Sequence, residues 1–221
     1  MATSGSRDFN IDVGEIIEEA YERCGLEVRT GYDARTARRS LNLMFADWAN
    51  RGINMWTVAQ GTITLTQGQA TQTLTADVVD VLEIVLRRSN TDYEVERISR
   101  GEYATLPNKT TQGRPSQFYF DRQILPIINL WAVPENSTDQ LVYYYVQRIE
   151  DADALVNTTD MPFRFYPCMV AGLAYYIAMK RAPERIQLLK SVYEEEFQRA
   201  SDEDEDRVPL KLQPSMQYLR V

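Results

Sequence analysis

The spacing of apolar residues changes twice along this chain, and that constrains its fold more than any other feature. Val13, Ile16, Ile17, Ala20, Tyr21 and Cys24 recur at helical intervals. From Gly61 the pattern becomes strict alternation, with Ile63 and Leu65 facing inward and Thr62, Thr64 and Thr66 outward. After Glu150 the helical interval returns through Phe163, Tyr166, Val170, Leu173 and Ile177. A chain that leaves a helical pattern and comes back to it builds one helical layer from its two ends, with an antiparallel sheet growing out of that layer. The expected class is therefore α+β. Residues 1–55 hold an N-terminal helix pair, 56–150 an inserted antiparallel β-domain, 151–201 a C-terminal helix pair completing the helical layer, and 202–221 an acidic hinge with an extended C-terminal tail.

Local signals sharpen this outline. Asp12 with Glu15 three residues on forms a capping box, and Gly25 supplies a stop. A second helix is expected after Asp33, with Ala34, Ala37, Leu41, Met44 or Phe45, and Trp48 on its apolar face and Gly52 at its end. Strands are expected over 61–66, 71–75, 81–88, 93–98, 116–121, 124–132 and 140–148, with a turn at Gly68-Gln69. Ser99 with Glu102 opens one short helix, and Pro107 to Pro115 is a polar loop. Asp160 is placed to cap a helix that has Pro162 in its first turn. That helix is apolar over most of its surface, the pattern of a helix buried on several sides or lying at an interface. Pro183 opens the last helix, striped by Ile186, Leu189, Val192, Tyr193, Phe197 and Ala200.

Composition removes several kinds of chemistry. The chain has no histidine, so it holds no Ser-His-Asp or Cys-His nucleophile system and no histidine zinc site. Its two cysteines, Cys24 and Cys168, lie inside helical patterns and read as buried free thiols, with a single Cys24–Cys168 disulfide as the alternative. No phosphate-binding glycine motif is present. With 32 acids against 24 bases and a net charge of −8, the chain is poorly suited to gripping a nucleic-acid backbone. No apolar run reaches the ~20 residues of a membrane span, and 1–9 lacks the apolar segment of a secretory signal. No catalytic residue, cofactor site or metal ligand is therefore assigned, and no membrane partner is expected. A carboxylate-dependent cell-wall polysaccharide hydrolase is the alternative, because paired carboxylates on separate segments leave no spacing signature.

Three features suit contact with a partner. Arg35, Arg38 and Arg39 sit in the first half of the second helix, where cations oppose the macrodipole and call for acids. The Glu15, Glu18, Glu19 and Glu22 row of the first helix is one source, a neighbouring subunit another. Tyr143-Tyr144-Tyr145 alternates across a strand, and Tyr143 and Tyr145 share a face that serves a core or an interface. Finally, Val208, Pro209, Leu210, Leu212, Met216, Tyr218, Leu219 and Val221 follow the five-acid run 202–206. That is more apolar surface than an ordinary disordered terminus carries. It suits an extended segment lying in a partner's groove or folded back on its own helices.

Ala34-Arg-Thr-Ala-Arg-Arg-Ser-Leu-Asn42, then Arg51-Gly52, then Gly61-Thr-Ile-Thr-Leu65, resembles the head-to-tail adaptor of short-tailed bacteriophages, the tail tubular protein A family. Met161-Pro-Phe-Arg-Phe-Tyr166, Ala182-Pro-Glu184 and Glu194-Glu-Glu-Phe-Gln-Arg199 are similar to that family's later motifs, in the same order, over about 12–200. The resemblance implies a non-enzymatic virion protein, made in the host cytoplasm and located at the capsid–tail junction. It implies a ring of twelve copies docked on the portal protein. Such a ring closes the capsid neck, carries the tail nozzle protein, and lets double-stranded DNA pass its lumen without specific binding. In that family an extended C-terminal tail reaches the portal, the place that 208–221 occupies here. The loop from Leu106 to Pro115 is longer than the family pattern.

Overall fold

The computed structural model describes residue 5 and residues 9–52 and 55–204. Helix α1 spans Val13–Arg23 and opens as its sequence requires: the Asp12 carboxylate accepts the Glu15 amide at 2.8 Å, and the Glu15 carboxylate accepts the Asp12 amide at 3.1 Å. Gly25 follows at φ +70°, a left-handed conformation that glycine adopts without strain. Helix α2 spans Gly31–Asn50 and starts three residues earlier than expected. Its cap is Thr30, and Asp33 is the answering acid of a second capping box. Asp33 thus supplies the first-turn acid instead of preceding the helix.

The β-domain contains β1 (Val58–Thr64), β2 (Thr71–Thr73), β3 (Val78–Arg88), β4 (Thr91–Arg97), β5 (Gln112–Gly113), β6 (Gln117–Asp121), β7 (Ile127–Trp131), β8 (Val133–Pro134) and β9 (Gln140–Gln147). Helix α3 (Arg100–Thr105) lies between β4 and β5, capped by Ser99 and Glu102 as read. Seven strands form one sheet in the order β1-β9-β3-β4-β6-β7-β2. Two features depart from a simple antiparallel meander. First, β4 and β6 pair in parallel, which the crossover through α3 makes possible. Second, the turn at Gly68 does not return β2 onto β1. Instead β2 pairs with β7 at the far edge. Six residues, 65–70, join the two edge strands, a reach of ~25 Å at most, so the sheet curls toward closure. Leu65 and Leu74, on either side of that link, bury in the same core. The polar loop expected over 107–115 contains β5, which pairs in parallel with β8.

Helix α4 (Tyr166–Arg181) and helix α5 (Ile186–Glu203) return the chain to the helical layer. Each follows a single 3-10 turn, Phe163–Phe165 and Pro183–Arg185. Asp160 does not cap this entry: no side chain caps it, and the Asp160 carbonyl instead accepts the Trp56 indole at 2.9 Å. Helix α4 packs against α1, α2 and α5. Its apolar circumference is therefore spent inside the layer, with Cys168 to Ala174, Ile177 and Ala178 all buried, and is not the interface face that its sequence also allowed. Gly172 makes this possible. A Cβ there would lie 2.4 Å from Met44 Sδ and 2.8 Å from Tyr193 Cε2. Trp48 is fully buried beside Phe165, and its indole donates to the Tyr193 hydroxyl at 2.8 Å.

The chain thus has two cores. One joins α1, α2, α4 and α5, with Cys24 and Cys168 as buried free thiols. Burial pushes the Cys168 thiol up to about 12. The other fills the concave side of the sheet with Leu86, Val95, Phe118, Ile128 and Leu141. Helix and sheet segments alternate in the chain, but each type has its own core, as a strand insertion into a helical layer requires.

Candidate interaction surfaces

Eleven residues after Tyr32, α2 presents Leu43, and Arg35 and Arg39 lie between them on the same outward stripe. Tyr32 is 59% exposed and Leu43 58% exposed, unusual for large apolar side chains on a helix whose other face is fully packed. With Thr36, Arg38 and Asn42 they line an open cleft of about 590 Å³. The expected pairing of the three arginines with the acids of α1 does not occur. Among the described residues none of the three is in an ion pair. Arg35 donates to the Gly31 carbonyl at 3.3 Å, and Arg38 donates to the Asp153 carbonyl. The first-turn acid of α2, Asp33, closes the Thr30 capping box and pairs with Arg181 instead of with any of the three. Asp33 is buried and bonds Arg181 at 2.6 Å.

A fourth cation adjoins this stripe. Lys180 of α4 donates to the Ser40 hydroxyl at 2.5 Å. Burial, and then the charges of Arg39 and Arg181, hold its ammonium below the usual lysine range. The Thr36 hydroxyl, buried at the cleft, has no hydrogen-bond partner among the described residues. Sequence reading found the arginines but missed Tyr32, Leu43 and Lys180. The first two were legible as the i and i+11 positions of the polar stripe. Lys180 was not, because only folding brings it to α2.

On α1, Glu15, Glu18 and Glu22 face solvent. Glu19 is paired within its own helix to Arg23 at 2.9 Å. Glu18 and Glu22 are a like-charged pair one turn apart with no cation within ion-pairing distance among the described residues, an arrangement that costs a helix a few tenths of a kcal/mol.

Tyr143 and Tyr145 stand on the inner side of β9, partly buried against the sheet core, with ring centroids 5.3 Å apart. Gly61 on β1 lies under Tyr143, where a Cβ would meet the ring at 2.3 Å. Tyr144, between them, is the exposed member of the run. The sheet is braced at the end of β3 by Arg88, which bonds the fully buried Asp139 carboxylate at 2.7 Å and Glu135 at 2.8 Å. Both acids raise the Arg88 guanidinium, the Asp139 hydrogen bond most strongly.

Helix α5 runs on through Asp202 and Glu203, further into the acidic run than expected. Asp204 closes it, buried and ion-paired with Arg164 beside the exposed Phe163. The end of α5 is therefore fixed to the 3-10 turn that precedes α4. Val208, Pro209, Leu210, Leu212, Met216, Tyr218, Leu219 and Val221 lie outside the described residues.

These surfaces present charged and aromatic side chains on packed helices and on a sheet braced by ion pairs. No helix among the described residues is long and apolar enough to cross a membrane. No described group of three or more His, Cys, Asp or Glu is placed to hold a metal. A family model described as SU10 adaptor protein matches residues 11–214. The chain belongs to this family, a phage head–tail adaptor family. Its coarse role is accordingly that of a structural component of the phage head–tail junction. Comparison with curated proteins gives no match. The family match begins one residue before the α1 cap and ends inside the C-terminal segment. It takes in Val208, Pro209, Leu210 and Leu212 but stops short of Met216, Tyr218, Leu219 and Val221.

Proposed function

We propose that this protein forms a ring of twelve copies between portal and tail, docking on the portal protein, closing the capsid neck and carrying the tail nozzle protein. The architecture supports this division of labour. A helical layer and a β-domain, each with its own core, offer one chain two surfaces, one for each neighbour. A closed ring also needs two different faces per subunit. Arg35, Arg38 and Arg39 on α2 supply one such contact surface, and Tyr143 and Tyr145 keep the partial exposure that a second would use. The net charge of −8 suits a conduit: a wall that repels phosphate lets duplex DNA pass without holding it.

One observation carries the portal assignment. Arg164 holds Asp204 on the helical layer, at the point where the described residues end and the segment 205–221 begins. Its apolar residues then act as a latch that lies in a groove of the portal. Among the described residues three carboxyls are displaced from their ordinary range, Asp33, Asp92 and Glu102, all downward and chiefly by hydrogen bonds to the ionised form. A hydrolase's general acid needs the opposite displacement. Deleting 208–221 tests the latch. The truncated protein should keep its circular dichroism spectrum and melting temperature while losing retention on immobilised portal. Undiminished retention would overturn the latch.

A further inference from the structure

The cationic stripe of α2 and the acidic row of α1 are two halves of one problem. Arg35, Arg38, Arg39 and Lys180 gather on one side of the helical layer with no acid paired to them among the described residues, in a chain of net charge −8. Glu18 and Glu22, both exposed, repel each other on α1 with no cation paired to them among the described residues. Each cluster is destabilising by itself, since like charges at helical spacing repel. The chain does not bring them together, although both helices pack on the same central α4. Tyr32 and Leu43, over half exposed, add apolar surface beside the arginines. Aromatic and arginine side chains in one patch are the composition of a contact centre.

We infer that the α2 stripe of one copy receives the α1 acidic row of the next copy of this chain. This rests on the ring reading and gives it a specific contact. The occupant is a second copy because the complementary charge is on the chain's own surface, on rigid helix, at matching spacing. Arg35 and Arg39 are one turn apart, as are Glu18 and Glu22, so two parallel ion pairs form at once across antiparallel or parallel helices. The contact is heterologous: the donor surface and the acceptor surface differ, so it propagates from copy to copy until the ring closes. Its charged part is solvent-accessible and is screened at high salt, where the Debye length falls to ~3 Å at 1 M.

Sedimentation velocity on two variants tests it. Arg35→Glu with Arg39→Glu makes both surfaces acidic, and Glu18→Lys with Glu22→Lys makes both basic. All four sites are exposed or near the surface, and unchanged circular dichroism confirms folding. Wild type should self-associate with rising concentration and less so in high salt. Either variant alone should associate at least about tenfold more weakly, through like-charge repulsion. An equimolar mixture of the two should recover association, because every contact in an alternating assembly is again acid on base. Variants that each associate like wild type would overturn this contact and leave the ring reading standing on another surface. A mixture that stays monomeric would overturn it as well. A wild type that neither self-associates nor is found in multiple copies in particles would overturn the contact and the ring together.

Discussion

Asp33 closes the capping box of α2 and pairs with Arg181 of α4, so one side chain serves both a helix end and a contact between helices. The Thr30 hydroxyl first, then the Arg181 guanidinium and the Thr30 and Arg29 amides, hold its carboxyl below the ordinary 3.8. The folded value lies under the unfolded one, so the folded state binds fewer protons over that interval. Its contribution is therefore complete above the unfolded value and is lost as the pH falls through the folded one. Asp33→Asn should melt at lower temperature than wild type near neutral pH, and the gap should close as the pH drops below about 4. Thermal melts at stepped pH read this out, and a gap that stays constant through the acid range would show that Asp33 acts through packing instead. The same residue marks a limit of reading one sequence. An acid three residues after a threonine is a capping box, but an acid before an apolar stripe is equally a cap. Only the helix start at Gly31 separates the two.

Elements defined by neighbours in sequence were legible, and elements defined by distant partners were not. The boxes at Asp12 and Ser99 and the glycine stop at Gly25 act within a few residues, so the chain states them directly. The partner of β2 is set by how far the sheet curls, a property of all seven strands. The short pairing of β5 with β8 depends on a loop whose composition is polar throughout. For α4 the apolar circumference was plain, but whether it met other helices or another subunit was not. Gly172 decides, because only a residue without a side chain lets α4 approach Met44 and Tyr193 so closely. Gly172→Val should overpack that contact and destabilise the fold by ~2–3 kcal/mol. Denaturant melts would show the midpoint falling, and a midpoint at or above the wild-type value would mean that α4 has room that these distances do not allow.

At the scale of the molecule, alternation of pattern along the chain becomes separation of cores in space. The first and last helix pairs share one layer, and the middle builds a curled sheet with its own interior. That arrangement, the family match over 11–214 and the fixed end of α5 support an adaptor at the head–tail junction. Candidate contact residues were only partly legible in the sequence. The arginines of α2 were found as a cluster, yet their lack of acids became evident only once α1 was seen to face elsewhere. Imaging of purified particles carrying a gold label on this protein tests the adaptor reading most directly. A ring of label at a single vertex, between capsid and nozzle, is the expected image. Label spread over the capsid shell, or particles that carry none, would refute the assignment.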